Sequence, residues 1–329
     1  MNEKILVTGA SGFIGRYLIK LLDEYGYKVK AGIHNPAQLN IFSGLKNVEP
    51  LMLDILDPNS LNNAMKEVDE VYHLAALVSS HESRNNLNKI NAMGTRNILE
   101  CASENGVNKI LYCSSTAVYG LLSKLYQPVN ESIQPRAIEP YGYSKYLGEL
   151  ETIRISKREK IHSIIIRPVA VFGPDEHTPF GKKLREAAVS KILLAGKLQK
   201  RKFNFVHVED VAAASIHLMQ NCSKSGEIFN ITVNDPVQFE DAFQSYLRIL
   251  NRSKNFDLKT KLIASVSSII NNINLAPHLL NKIGINKFVF TIWQPGFDIL
   301  YSSEKLLKTS FKFKWENFGE VILSCLSKS

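Results

Sequence analysis

The 329-residue chain predicts an α/β fold: a doubly wound parallel sheet with helices on both faces, joined to a smaller, mostly helical lobe. Three observations carry this expectation. Short apolar runs alternate with amphipathic stretches through the first half, as βαβ units do. The first run, Ile5-Leu6-Val7, leads at once into glycines 9, 12 and 15 and then into apolar residues at helical spacing. After Arg167-Pro168 the alternation loosens, which marks the second lobe.

Each element follows in order. Lys4–Thr8 reads as a buried strand. Gly9, Gly12 and Gly15 allow a tight turn, close approach of a ligand and close packing of a helix on the strand. Strand, glycine turn and helix together aim free backbone N–H groups at a phosphate, so residues 5–15 (ILVTGASGFIG) are expected to bind a dinucleotide. The helix Gly12–Tyr25 is set by Phe13, Ile14, Tyr17, Leu18, Leu21 and Leu22. Strands follow at Lys28–Ile33, Val48–Leu53, Glu70–Leu74, Lys109–Cys113 and Ser163–Arg167. Helices are expected near Ser60–Glu67, Asn86–Asn105 and Ser144–Lys157. Right-handed crossovers place the strand C-termini, and the ligand crevice, on one edge.

Beyond Gly173-Pro174 an amphipathic helix is expected near residues 180–195. The strand-like Phe203–Val208 (FNFVHV) is expected to return to the main sheet, followed by helix Glu209–Gln220 and strand Glu227–Ile231. The sheet domain is therefore assigned to 1–168 plus 203–231, and the second lobe to 169–202 plus 232–329. Ile263–Ile283, apolar but broken by asparagines and Pro277, reads as a helix pair over the substrate site rather than a membrane-surface contact within Leu262–Ile285.

Composition narrows the class. Hydrophobic residues make up 45% and charged residues 22%, as in soluble globular proteins. No segment has the length and apolarity of a transmembrane helix, and no signal peptide is expected before the first strand. Cys101, Cys113, Cys222 and Cys325 are scattered without a C-x-x-C pair, which points to a reducing cytoplasm with no disulfide framework and no metal site. The net charge of +9 is spread along the chain, densest at Lys197–Lys202. Without an accompanying motif it argues against a nucleic-acid partner and fits attraction of an anionic cofactor or substrate.

The chemistry is expected from Tyr141 and Lys145. Four residues apart at a helix start, they share one face. A lysine ammonium near a tyrosine stabilises the phenolate and lowers its pKa from about 10, so that Tyr141 can exchange a proton with a substrate oxygen. Ser114-Ser115-Thr116, ending the strand before them, supply hydroxyls to orient that oxygen. His81, His177 and His207 are expected to be structural or solvated, with His207 facing away from Val206 and Val208. Packing roles are expected for Tyr119 and Tyr143.

The ordered motifs TGASGFIG, HLAA (73–76), NAMGT (91–95), SSTAVYG (114–120), YGYSK (141–145), RPVAVFGP (167–174) and FVHVEDVA (205–212) resemble those of extended short-chain dehydrogenase/reductases. The chain is similar to the NAD-dependent epimerase/dehydratase group. That resemblance implies a Rossmann-type fold. It implies a pyrophosphate cradle at Gly9, Gly12 and Gly15, with Ser11, Phe13 and Ile14 alongside. Asp54 would bond the adenine, beside Ile55, and Ala75, Ala76 and Pro168 would lie along the cofactor. Asn91 would support the site. Ser115, Tyr141 and Lys145 would be catalytic, and Thr116 and Val78 would face the substrate. A homodimer through helices Asn86–Asn105 and Ser144–Lys157 is implied as well.

The cofactor expectation is NADP or NAD, with NADP slightly favoured. The second strand ends AGIHNPAQL, with His34 and without the acid that accepts from a ribose 2′-OH. Arg16, directly after the third glycine, is a candidate for a 2′-phosphate. Thr116-Ala117 stand where similar 4,6-dehydratases carry Asp-Glu, which argues against that reaction. The wording FNFVHVEDVA and the segment Leu262–Ile285 look more like the dihydroflavonol-reductase and 3β-hydroxysteroid-dehydrogenase branch. The expectation is hydride transfer at a ring hydroxyl or carbonyl of a small molecule. A nucleotide-sugar epimerase and a catalytically silent NAD(P)-binding regulator remain the alternatives.

Overall fold

A computed structural model describes residues 3–79, 82–124, 126–176, 201–242, 244–245, 298 and 300–325. His81, His177, the expected helix near 180–195, Lys197–Lys200 and Leu262–Ile285 lie outside the described residues.

Seven strands form one parallel sheet: β1 (Lys4–Thr8), β2 (Lys28–Ile33), β3 (Val48–Met52), β4 (Glu70–His73), β5 (Lys109–Cys113), β6 (His162–Pro168) and, after further elements, β10 (Glu227–Ile231). Their spatial order is β10-β6-β5-β4-β1-β2-β3. The order reverses between β1 and β4, and a crevice opens at the C-terminal ends of strands at such a switch point. Helices α1 (Phe13–Glu24) and α6 (Val208–Asn221) cover one face. Helices α2 (Pro58–Met65), α4 (Gly94–Glu104) and α5 (Pro140–Glu159) cover the other. Leu6, Val71 and Ile110 serve one face while Ile5, Val7 and Tyr72 serve the other, all almost fully buried, as a sheet covered on both sides requires.

Three local outcomes differ from the expectations. The helix expected over Asn86–Asn105 is divided: α3 (Arg84–Asn88) passes through a π-helical turn, Lys89–Met93, into α4. Such turns cluster at functional sites. Helix α5 begins at Pro140 rather than Ser144, because a proline at the first helical position costs no hydrogen bond. The third is a correction to the sheet. Phe203–Val208 does not join it. That segment is split into β8 (Lys202–Phe203) and β9 (Phe205–His207), and β9 pairs with β7 (Ala170–Phe172) in a separate two-stranded sheet. The free edge of β6 is taken by β10. Asn204, between β8 and β9, turns its amide to the Val233 carbonyl (2.7 Å) and the Tyr301 N–H (2.7 Å).

His207 has the structural role expected of it, turned away from Val206 and Val208. It is buried together with Phe205 and Val206, stacks on Trp315 with ring centroids 4.4 Å apart, and accepts from the Glu209 N–H to cap α6. Among the described residues Cys101, Cys113, Cys222 and Cys325 form no disulfide. Among the described residues no helix is long and apolar enough to cross a membrane, and no group of metal-ligating side chains occurs.

Candidate active site

The crevice is built first from β1. The chain leaves it at Gly9, whose φ of +67° suits glycine alone. A Cβ at Gly9 would lie 2.7 Å from the Ala75 backbone beyond β4, and one at Gly15 would lie 2.3 Å from the Gly9 carbonyl. Gly12 starts α1 with no side-chain cap and no acid in the first turn. The first-turn N–H groups and the positive end of the helix dipole are thus left for an anion. This cradle fits the pyrophosphate of a dinucleotide. Ser11 is half-buried beside it, while Phe13 and Ile14 pack onto the core below.

Other sequence candidates line the same edge. Asp54, just after β3, accepts from the Leu56 N–H (2.9 Å) while its own N–H donates to Ser60 Oγ (3.1 Å). Ile55 is buried against Gly94, where a Cβ would meet its Cδ1 at 2.6 Å. Ala75 and Ala76 are half-buried after β4, and Val78 beyond them is exposed. His34 is exposed at the end of β2, and the neighbouring Asn35 accepts from Ala37 N–H. Arg16 Nη1 lies 3.9 Å from Asp175 Oδ2, and its Nε is buried without a hydrogen-bond partner among the described residues.

β5 delivers the hydroxyls. Ser115 stands near the Tyr141 hydroxyl and acts to lower its pKa, and its Oγ accepts from the Ala117 N–H at 3.2 Å. Thr116 is buried and donates to the Pro168 carbonyl at 3.3 Å. Of the two, Ser115 is the one brought to Tyr141. Tyr141 and Lys145 stand one turn apart on α5, and Lys145 is almost wholly buried with Nζ 4.2 Å from the centroid of the Tyr112 ring.

Here the electrostatics depart from the sequence expectation. Burial pushes the Tyr141 phenol well above its ordinary value, Cys113 adds to the rise, and Ser115 opposes it. Burial pulls Lys145 down to about 8, against Cys113 and Glu149. The Lys145 ammonium sits on the face of Tyr112, so desolvation of the phenolate outweighs its attraction.

Asn91 lies in the π-helical turn and is fully buried. Its Oδ1 accepts from the Leu77 N–H (2.8 Å), and its Nδ2 donates to the Leu77 carbonyl (3.0 Å) and to Ser144 Oγ (2.9 Å). Ser144 in turn donates to the Tyr141 carbonyl at 2.7 Å. Asn91 thereby clamps the loop after β4 to the first turn of α5. Sequence reasoning passed over Thr8, His73, Thr95, Glu149 and Arg167, which surround these groups. His73, Thr95 and Arg167 stand inside the motifs HLAA, NAMGT and RPVAVFGP, and that placement was the available signal.

Residues 5–232 match the NAD dependent epimerase/dehydratase family. The chain belongs to this family. It is 32% identical over 247 residues to tetraketide alpha-pyrone reductase 2 of Arabidopsis thaliana, covering 69% of this chain and 77% of that protein. It is 27% identical over 267 residues to the human decarboxylating sterol-4-alpha-carboxylate 3-dehydrogenase, covering 76% of this chain and 67% of that one. An uncharacterized protein of Sinorhizobium fredii is 31% identical over 219 residues, and the chain spans about half of its length, 52%. Among solved structures, UDP-glucuronic acid 4-epimerase from Bacillus cereus in complex with NAD superposes with a TM-score of 0.66 at 26% identity, covering 75% of this chain and 84% of that one. The family member described here is an enzyme. It falls with nicotinamide-dependent dehydrogenases, reductases and epimerases, and its relatives include the reductase and sterol dehydrogenase type.

Proposed function

We propose that this enzyme is an NAD(P)-dependent oxidoreductase that transfers hydride at a ring hydroxyl or carbonyl, with Tyr141 as acid/base. The reading rests on the Ser115–Tyr141 hydroxyl pair beside buried Lys145, on the strand edge that carries the glycine cradle. When bound, the nicotinamide cofactor supplies or accepts the hydride. Ser115 and Tyr141 hold the substrate oxygen between two hydroxyls. The Tyr141 hydroxyl gives that oxygen its proton in reduction, or takes it in oxidation. Lys145 carries its charge below about pH 8 and offsets the negative charge that develops at Tyr141 as the proton leaves. Asn91, through Ser144, holds the turn of α5 on which Tyr141 stands. Similarity to an alpha-pyrone reductase and a sterol dehydrogenase supports a ring substrate.

Within that reading the cofactor is NADP. β2 ends in Ile33-His34-Asn35 with no carboxylate to accept from a ribose 2′-OH, and Arg16 is the cation nearest the cradle in sequence. A homodimer is supported by Met93, Leu150 and Ile153, large apolar residues left exposed at the π-helical turn and on α5. Oxidation of NADPH and of NADH is to be followed with a panel of cyclic ketones and lactones. Turnover with NADPH above NADH supports both parts. A large NADH preference ends the NADP part, and no turnover with either cofactor ends the oxidoreductase reading.

Similarity to a UDP-glucuronic acid 4-epimerase favours a second reading, sugar-nucleotide epimerisation. Conversion of UDP-glucuronic acid or UDP-glucose to the 4-epimer, with no net change in NADH absorbance, would establish it instead.

A further inference from the structure

We propose that His73 is a positioning residue that ties the cofactor-side ends of β1 and β4 to the catalytic helix α5 through one directional chain of buried hydrogen bonds. The inference rests on the roles proposed above for Tyr141 and Lys145.

The chain can be followed atom by atom. The Thr95 hydroxyl donates to the Asn91 carbonyl at 2.7 Å. Its hydrogen is thereby used, so Thr95 Oγ1 meets His73 Nε2, 3.0 Å away, as an acceptor. Nε2 therefore carries the imidazole proton and Nδ1 is bare. Nδ1 lies 2.7 Å from Thr8 Oγ1, which must donate to it. The remaining Thr8 lone pair takes the Ala75 N–H at 3.2 Å, at the point where Ala75 backs onto Gly9. At the other end Asn91 continues through Nδ2 to Ser144 and on to the Tyr141 carbonyl. Every hydroxyl in the run both donates and accepts, so reversing any one link strands a buried donor.

The imidazole is confined to this role. Thr8, His73, Asn91 and Thr95 are all fully buried. The Tyr112 ring lies against His73 with centroids 5.5 Å apart, and among the described residues the charged group acting on it is Lys145. Burial first, and then Lys145, hold the imidazole neutral, down to about 3. A charged His73 would also face Thr8 with an N–H and leave the Thr8 hydrogen without an acceptor.

The test begins with the whole protein, labelled with 15N at histidine. The expected spectrum shows His73 as the neutral Nε2–H tautomer from pH 6 to 8. An Nδ1–H tautomer or an imidazolium in that range overturns the proposal. Variants then separate its two ends. H73N keeps an acceptor near Nδ1 but loses the link to Thr95, and T95V breaks the same link. Both are expected to lower kcat about fivefold and leave the NADPH dissociation constant, read by fluorescence, unchanged. T8V is expected to raise that constant about fivefold with a smaller effect on kcat. H73Q places a donor near Nε2 and is expected to recover kcat. Equal losses in both quantities for all variants would make His73 merely structural and overturn the proposal. Should H73N fail to fold, the wild-type spectrum and the T8V and T95V pair still decide. The spectrum and the NADPH titration need no substrate, so a wrong reaction class would show separately, as an inactive wild type with the Nε2–H tautomer intact.

Discussion

Arg167 and Glu149 meet in a bidentate pair, Nε to Oε1 at 2.8 Å and Nη2 to Oε2 at 2.6 Å, with both side chains almost wholly buried. The pair ties β6, one residue before Pro168, to α5, one turn beyond Lys145. The remaining guanidinium donor, Nη1, reaches the Tyr119 hydroxyl at 2.8 Å, and Tyr119 donates on to Asn230 Oδ1 at 2.9 Å. Asn230 Nδ2 lies within 3.3 Å of the Val129 and Ser302 carbonyls. A planar guanidinium paired bidentately with a carboxylate is an arrangement in which a buried charge is tolerated.

Removing one partner of that pair leaves the other charge buried and alone. E149Q or R167M is expected to lower unfolding free energy by about 3–5 kcal/mol, measured by urea denaturation. The double variant R167M/E149L is expected to recover much of the loss. A single-variant cost near zero would show the pair to be unimportant.

Tyr141→Phe deletes the hydroxyl that meets Ser115 and leaves the glycine cradle untouched. Turnover is expected to fall at least about a hundredfold, with NADPH affinity, read by fluorescence titration, essentially unchanged. Full activity in the variant would remove Tyr141 from the mechanism.

Gly148 lies where α5 passes Tyr112 and Asn91. A Cβ there would stand 2.2 Å from Tyr112 Oη and 2.8 Å from the Asn91 carbonyl. Alanine improves helix propensity by about 1 kcal/mol, but overpacking against a backbone carbonyl costs about 1–3 kcal/mol. G148A is therefore expected to be a net loss of up to about 2 kcal/mol in urea unfolding. A gain would show that the two helices can separate without penalty.

Acid should unfold the protein through its buried histidines. Burial first, and then Lys145, hold His73 down to about 3. Burial first, and then Lys314, hold His207 down to about 4, against Glu209. Between those values and 6.5 the unfolded chain binds protons that the folded one refuses. Stability is expected to fall as pH drops below about 6.5, at up to about 1.4 kcal/mol per pH unit for each histidine. Glu70 acts in the opposite sense, because burial raises it to about 7. From 4.5 to 7 the folded state keeps a proton that the unfolded chain loses, so this group removes stability as pH rises. E70Q is expected to gain about 1 kcal/mol at pH 8, after allowance for solvent screening, and nothing at pH 4.5. Urea midpoints across pH 4.5–8 check both trends.

Much of the sheet was legible because its strands are continuous apolar runs. Lys4–Thr8, Lys28–Ile33, Lys109–Cys113 and Glu227–Ile231 end where their sequences suggest. Phe203–Val208 reads as strongly, yet its pairing depends on which edge is free. β10 occupies the edge of β6, and the segment pairs with β7 instead. The π-helical turn at Lys89–Met93 leaves no mark in the periodicity of residues 86–105. Tyr141, Lys145 and Ser115 were legible as a set from their motifs and their place after a strand. Their electrostatics were not, because desolvation depends on what covers a side chain.

The family, the doubly wound sheet and the glycine cradle are written in the linear chain. These follow from local features: runs of apolar residues, turns that only glycine makes, and motifs in a set order. Packing between distant segments sets Lys145 on the Tyr112 ring, brings Ser115 rather than Thr116 to the tyrosine, and joins Arg167 to Glu149. Residues such as Thr8 and Thr95, or Glu149 and Arg167, are far apart along the chain, and their meeting is a consequence of how β1, β4, β6, α4 and α5 stack. Their hydrogen bonds are directional and buried, so their roles are set by ångström-scale geometry that no spacing along the chain records.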